Sequence, residues 1–161
     1  MPPTLPERLD QLAALAHPVG MGARWPVTNN GPQTSASWCN GSAGYVHLWT
    51  AAHRALRDQR WAELAERAAW DAYTTPAIAQ LCCGLAGQAY ALLEWHRHTG
   101  ERRWLTAATE LAVRAVAGVH SGRGGQYTSG SLHKGEIGIA VLAADLARPE
   151  AAAMPFFGAV D

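Results

Sequence analysis

Apolar residues recur at every third or fourth position in two separate stretches of the chain. One stretch begins at Trp61 and the other runs from about Arg103 to Val116, and in each the charged residues lie on the opposite side. This pattern is typical of an amphipathic helix with one buried face. We therefore predict two outer, half-solvated helices, whose apolar positions are Trp61, Leu64, Ala65, Ala68 and Ala69 in the first and Trp104, Ala108, Leu111, Ala112 and Ala115 in the second.

Three further stretches are apolar almost all the way round, which indicates helices buried among others. They read GYVHLWTAAHRAL from Gly44, GLAGQAYALLEW from Gly84, and IAVLAADLA after Gly138. Each is introduced by Gly-x-x-Gly, and the first glycines of these motifs are 43 and 51 residues apart. Such spacing is typical of repeated helical hairpins. The paired glycines indicate either closely packed backbones or a turn that needs positive φ.

The alternation of buried and half-solvated helices predicts an all-α chain of tandem helical hairpins. The connecting segments PVTNNGPQTS and SGRGGQYTSGS lack alternating β-branched residues, so we predict no strands. Leu5 to Ala16 form a lone helix at the front, and after Leu146 too few residues follow for another outer helix. The third pair is thus incomplete, and we expect residues 1–161 to be part of a longer solenoid or closed ring.

Composition and charge exclude several classes of protein. Of 161 residues, 48% are hydrophobic and 16% charged, which suits one globular domain. Thirteen basic residues balance thirteen acidic ones, so no net field favours binding to nucleic acid or an anionic membrane. No signal peptide or membrane-spanning stretch is evident, so we expect a cytoplasmic protein.

The three cysteines lie immediately before two of the glycine-led helices. Cys39 lies in WCNGSAG, and Cys82 and Cys83 lie in LCCGLAG. Helix N-termini favour the thiolate, the form that binds metal. We predict that adjacent repeats bring the thiols around one Zn²⁺, whose fourth position is left to water or substrate. His47 or His133 could supply a fourth ligand in principle, but we assign neither of them the repeat position of the cysteines.

A simpler interpretation is that the cysteines are small buried side chains. The third repeat, SLHKGEIG, has no cysteine, which argues against packing alone. The seven tryptophans fit core packing better than a stacking platform for a ligand. Asp145, Glu94 and Glu136 are single carboxylates without a visible partner, so no acid and base pair is predicted.

The ordered motifs WCNGSAG, LCCGLAGQAYALLEWHRHTGERRWL and SLHKGEIGIAVLAADL together resemble the last repeats of the lanthionine synthetase C-like family. The resemblance covers the chain from about Trp25 onward and implies an α/α toroid, of which residues 1–161 would form about the last three hairpins. It also implies that Cys39 and Cys82 are zinc ligands. Cys83 stands where the family more often has His, and Cys-Cys-Gly is similar to that in kinase-fused cyclase domains such as class IV lanthipeptide synthetases.

The resemblance further implies a chemistry and partners. A peptide cysteine thiol would add to dehydroalanine or dehydrobutyrine and close a thioether ring. The substrate would be a dehydrated precursor peptide, and an N-terminal part of a synthetase, carrying kinase and lyase domains or further cyclase repeats, would be a partner. The catalytic residues are unknown, because the family's acid/base His and supporting Asp come from repeats not present here. Alternatives are a zinc-containing scaffold that binds a peptide without chemistry, or addition of a small thiol such as glutathione.

Overall fold

The computed structural model describes residues 2–28, 31, 33–120 and 128–157. In these residues it contains six α-helices and one short antiparallel hairpin. Parts of the predicted loops, at residues 29, 30, 32 and 121–127, and the last residues, 158–161, lie outside the described residues. The elements in chain order are α1 (Leu5–Ala13), β1 (His17–Val19), β2 (Gly22–Arg24), α2 (Ser42–Leu56), α3 (Gln59–Thr74), α4 (Leu85–Thr99), α5 (Arg102–His120) and α6 (Glu136–Asp145).

The helices form consecutive pairs, as the repeat predicted. Helix α2 packs on α3 and α4 packs on α5, while the glycine-led helices contact one another in the order α2, α4, α6. Helix α4 is buried at every position from Leu85 to Trp95, whereas α3 and α5 bury one face. The all-α prediction is therefore confirmed for the helical body. Closure into a ring stays a prediction.

The β1–β2 hairpin was not predicted, and the expectation that the chain has no strands is wrong at this point. It pairs His17 with Arg24 and Val19 with Gly22, and its turn includes Gly20 at φ +56. Strands of three residues are too short to show alternation. Tertiary packing holds the hairpin: β2 lies on α3, where a Cβ at Gly22 would come within 2.8 Å of the Asp71 backbone nitrogen. The front helix also ends at Ala13 rather than Ala16.

An aromatic cluster joins this hairpin region to the first helix pair. Trp25 stacks on Tyr45 with ring centroids 4.3 Å apart, and Trp49 stacks on Trp61 at 5.3 Å. Trp25, Trp49 and Trp61 are fully buried, and the Trp25 indole nitrogen donates to the Leu12 carbonyl oxygen at 3.0 Å. These tryptophans pack in the core, as predicted.

The first glycine of each Gly-x-x-Gly is the N-cap of its helix. Gly41, Gly84 and Gly135 have φ of −152°, −143° and −133°, which is extended backbone that any residue adopts. A Cβ at each would collide with a carbonyl oxygen of the preceding loop, from Ser35, Ile78 and Thr128 respectively. Of the two explanations for the glycines, close backbone approach is therefore the one that applies. The loops before α2 and α4 fold over the first turns of their helices: the Ser42 amide donates to the Ser35 carbonyl at 3.1 Å, and the Leu85 amide donates to the Ile78 carbonyl at 2.6 Å.

No helix in the described part of the chain is long and apolar enough to cross a membrane.

Candidate metal centre

The loops before α2 and α4 bring the three cysteine side chains together. Because α2 and α4 pack side by side, their N-terminal ends are neighbours. The Sγ atom of Cys83 lies 3.6 Å from that of Cys39 and 3.5 Å from that of Cys82. All three sulfurs lie within 4.8 Å of one another, although Cys39 and Cys83 are 44 residues apart. The structure thus brings together the three residues that the sequence singled out.

All three cysteines are free thiols, and Cys39 and Cys83 are exposed while Cys82 is half-buried. Side chains that only fill space in a core are usually inaccessible to solvent. Packing therefore does not account for Cys39 and Cys83. The open side of the cluster leaves room for a further ligand.

Hydrogen bonds and burial act on the three thiols in different ways. Burial opposes ionisation of Cys39, but hydrogen bonds from Ser37 and the two other thiols outweigh it and leave the pKa of Cys39 below its ordinary value. Burial raises the pKa of Cys82 to about 12, and burial also raises the pKa of Cys83, against which the charge of Lys134 acts. Ser37 is itself held by Asn40, whose Oδ1 lies 2.6 Å from the Ser37 hydroxyl. Cys39 is thus the one of the three thiols whose surroundings lower its pKa.

The spacing of the sulfurs fits a tetrahedral zinc site. Zinc–sulfur bonds of about 2.3 Å in tetrahedral geometry place two sulfurs about 3.8 Å apart. The separations of 3.6 Å and 3.5 Å are close to that value, and the third sulfur–sulfur distance lies within 4.8 Å. Soft thiolate donors favour zinc over magnesium or calcium. The donor set present therefore suits zinc.

His47 does not lie with the cysteines. It is half-buried on α2 near the charged side chains of Glu94, Arg54 and Arg97, and burial lowers its pKa to about 4. Glu94 accepts from Arg54 at 2.7 Å and also pairs with Arg97. Among the described residues, the group able to share a metal contains cysteines alone.

His133 was wrongly denied the repeat position of the cysteines by the sequence analysis. It precedes Gly135 by two residues, which is the offset of Cys39 from Gly41 and of Cys82 from Gly84. It therefore does share the repeat position of those cysteines, and counting back from the glycine would have shown it. Its backbone carbonyl accepts from the Cys82 amide at 2.9 Å, so the third loop lies directly against the second.

A cavity of about 340 Å³ lies beside Cys39. Its walls include Trp38, Tyr45 and Leu48, and burial raises the pKa of Tyr45, which keeps that hydroxyl protonated. None of the described residues that line it is an Asp, Glu, Lys, Arg or His. The cavity thus offers a surface of mixed polarity next to the thiols and, among its described lining residues, no carboxylate or imidazole to act as an acid.

Comparison with known proteins adds one match. A family model described as "Lanthionine synthetase C-like protein" matches residues 16–158, which is most of the chain. Among curated proteins no match was found. The match includes both cysteine-bearing loops and all three Gly-x-x-Gly motifs.

Proposed function

Because the chain belongs to the lanthionine synthetase C-like family, we propose that it is a zinc-dependent cyclase module in which Cys39, Cys82 and Cys83 hold the metal. The observation that supports this proposal best is the convergence of three sulfurs from two separate loops. The reaction would join a peptide cysteine to dehydroalanine or dehydrobutyrine. A bond forms between the thiol sulfur and the alkene β-carbon, the carbon–carbon π bond breaks, and the proton lost by the thiol is balanced by one gained at the α-carbon.

Zinc bound here would lower the pKa of the substrate thiol and favour its thiolate at neutral pH. The chain's own residues would position the peptide. The exposed side of Cys39 and Cys83 leaves the cluster open to a substrate, and the apolar wall formed by Trp38, Tyr45 and Leu48 would exclude water from one side. Cys83 in the place of the more usual His gives three anionic donors. We propose that this raises the nucleophilicity of a bound thiolate.

The proposal extends to partners and domain organisation. Residues 1–161 would form about the last three hairpins of a toroidal cyclase domain, acting on a dehydrated precursor peptide in the cytoplasm. The acid that protonates the α-carbon would come from further cyclase repeats. Those repeats, or kinase and lyase domains, would belong to the other part of the synthetase.

One observation favours a second function. The described residues that line the cavity beside Cys39 include no carboxylate or imidazole to protonate the α-carbon. A zinc-containing scaffold that binds a peptide without reacting would need none. Addition of a small thiol such as glutathione to an electrophile would also use zinc to activate the thiol. It is the remaining alternative.

The first test is the metal content of the purified chain, measured by plasma emission without added metal. We expect about one zinc per chain in the wild type and none in a variant with Cys39, Cys82 and Cys83 all changed to Ser, since three thiolates supply the affinity. His120→Ala is the matched control, because His120 is exposed on α5 and its ring bonds to the Val116 carbonyl oxygen of the same helix. Folded wild-type protein without metal, or zinc retained in the triple variant, would contradict the site.

The second test is cyclisation of a dehydrated, cysteine-containing peptide by the zinc-loaded chain. Ring closure leaves the peptide mass unchanged, so the readout is mass spectrometry after thiol alkylation. Loss of the alkylated product that depends on all three cysteines supports the cyclase. Zinc-loaded protein that binds the peptide but leaves its thiol free would favour the scaffold.

A further inference from the structure

A second cavity lies between the two half-solvated helices, α3 and α5, and shares no lining residue with the cavity beside Cys39. Its volume is about 410 Å³, which is within the range of pockets that take small ligands. Both of its walls belong to consecutive helical pairs of the described chain. We call it the α3–α5 pocket, and its lining residues include Trp70 and Tyr73 from α3 and Arg103, Trp104 and Glu110 from α5.

Aromatic rings from both helices form walls of the α3–α5 pocket. Trp70 and Trp104 meet edge to face with ring centroids 5.0 Å apart, and the centroids of Trp70 and Tyr73 are 6.4 Å apart. Trp104 is buried, whereas Trp70 and Tyr73 are half-buried and can be reached from solvent. The Arg103 Cζ atom lies 5.0 Å from the Trp104 centroid and 5.7 Å from the Trp70 centroid, distances at which a ring attracts a cation. These rings thus already bind one cation of the chain itself.

The two charged groups of the pocket differ in how their charges are balanced. Arg103 is paired with two carboxylates, those of Glu66 and Glu101, each at 2.6 Å. Glu110 instead accepts a hydrogen bond from the Tyr73 hydroxyl at 2.6 Å, and this bond raises the pKa of Tyr73, so the hydroxyl stays a neutral donor. A neutral donor orients the Glu110 carboxylate without cancelling its charge.

The Glu110 carboxylate therefore carries the unbalanced charge of the pocket. Arg114, four residues further along α5, acts on the pKa of Tyr73 through its charge, but within the described residues it forms no ion pair with Glu110. The α3–α5 pocket thus combines accessible aromatic surface with one carboxylate that lacks a cationic partner in the described part of the chain. That combination favours a cationic ligand over an acidic or neutral one.

We propose that the α3–α5 pocket binds a lysine side chain of a peptide, with the ammonium group paired to Glu110 and the methylene stem lying against Trp70 and Tyr73. A lysine stem covers apolar surface while its charged end stays in water. Lysine fits better than arginine, because the Arg103 guanidinium already lies over both indole rings and a compact ammonium needs no stacking. Trp, Tyr and Arg are also enriched where proteins bind other polypeptides. This contact would hold a peptide through residues that the metal centre does not use.

An NMR titration followed by the indole N–H signals tests the proposal. The probes are acetyl-Gly-Lys-Gly-amide and acetyl-Gly-norleucine-Gly-amide, which differ only in the ammonium group. The lysine peptide is expected to shift the Trp70 signal, assigned by its loss in Trp70→Phe, and to bind at least about fivefold more tightly than the norleucine peptide. Equal binding of the two peptides, or no shift with the lysine peptide, would overturn the proposal.

Two substitutions separate the charge from the ring. Glu110→Gln should weaken binding of the lysine peptide by about fivefold and leave binding of the norleucine peptide unchanged. Trp70→Leu should weaken it by a similar factor, whereas Trp70→Phe keeps a ring and should keep most of the binding. Circular dichroism checks the fold, and if Trp70→Leu does not fold, the exposed substitution Glu110→Gln still decides.

Glu63→Gln is the matched control. Glu63 is exposed on the same helix as Trp70 but lines a different cavity, so this variant should bind the lysine peptide as the wild type does. Equal weakening by Glu63→Gln and Glu110→Gln would indicate general charge attraction and overturn the site. Zinc-free and zinc-loaded protein should bind the peptide alike, because none of the described residues lining the pocket is a cysteine. The outcome is therefore independent of whether the proposed metal centre holds zinc.

Discussion

At the scale of single residues, the Asp71 carboxylate shows how a buried charge connects separate parts of the chain. Its side chain is 1% exposed and accepts from Arg24 at 3.0 and 2.6 Å, from Ser42 at 2.5 Å and from Thr75 at 3.3 Å. These donors come from β2, from the first turn of α2 and from the end of α3. A buried carboxylate with every partner in place ties the hairpin to the helices that lead to the cysteines.

Changing this carboxylate to an amide should therefore be costly. Asp71→Asn removes the charge that pairs with Arg24, and we expect the free energy of unfolding to fall by about 3 kcal/mol. Glu66→Gln is the matched control, because its pair with Arg103 has side chains that are 39% and 50% exposed. That change should cost less than about 1 kcal/mol. Urea denaturation of both variants measures the difference, and equal losses would contradict a structural role for Asp71.

His47 should make stability depend on pH. Burial lowers its pKa from 6.5 to about 4 in the folded chain, so between these values the unfolded state binds more protons. Stability is then fully present above pH 6.5 and falls as the pH drops toward 4, by up to about 3 kcal/mol from this residue. His98, whose pKa burial also lowers, acts in the same direction.

The check is urea denaturation at several pH values between 4 and 6.5 for the wild type and for His47→Gln. The variant has no imidazole to protonate at this position, so its stability should depend less on pH. Parallel curves for the two proteins would show that His47 is not the group responsible.

At the scale of helices, the glycine motifs set the distance between elements. The loops before α2, α4 and α6 place carbonyl oxygens against the first turns of their helices, where a side chain would not fit. The loops before α2 and α4 also carry the cysteines, so the backbone contact fixes the direction from which the thiols enter. The position of the metal-binding sulfurs thus depends on glycines that touch no metal.

Gly138→Ala tests this dependence. The new methyl group would meet the Leu132 carbonyl and lie 2.7 Å from the Leu81 Cβ, so we expect a loss of about 1–3 kcal/mol even though alanine favours helix. In Gly118→Ala the methyl group would lie 3.3 Å from the Ala79 Cβ, the nearest atom of the described residues, and stability should stay within about 1 kcal/mol of the wild type. Thermal denaturation of both variants compares them. If Gly138→Ala left the stability unchanged, the loops would be able to move away from the helix with little loss of free energy.

At the scale of the whole molecule, the sequence predicted the features that local patterns encode. The periods around Trp61 and Trp104 predicted α3 and α5, and the repeated glycines predicted the helix pairs and the meeting of Cys39 with Cys82 and Cys83. The hairpin could not be predicted, because packing of β2 on α3 forms it. The close contact between Leu81 and Gly138 could not be predicted either, because it joins residues far apart in the chain.

The glycines shape the loops and the cysteines bind the metal, and this division of roles has a consequence for evolution. Cys39 and Cys83 are exposed and occupy loops whose shape is set by backbone contacts, so before metal binds they contribute little to folding. Mutation could therefore remove or restore the thiols while natural selection on the scaffold keeps the glycines. A lineage could retain this architecture after losing its chemistry, or regain the chemistry through a single codon change at each loop position.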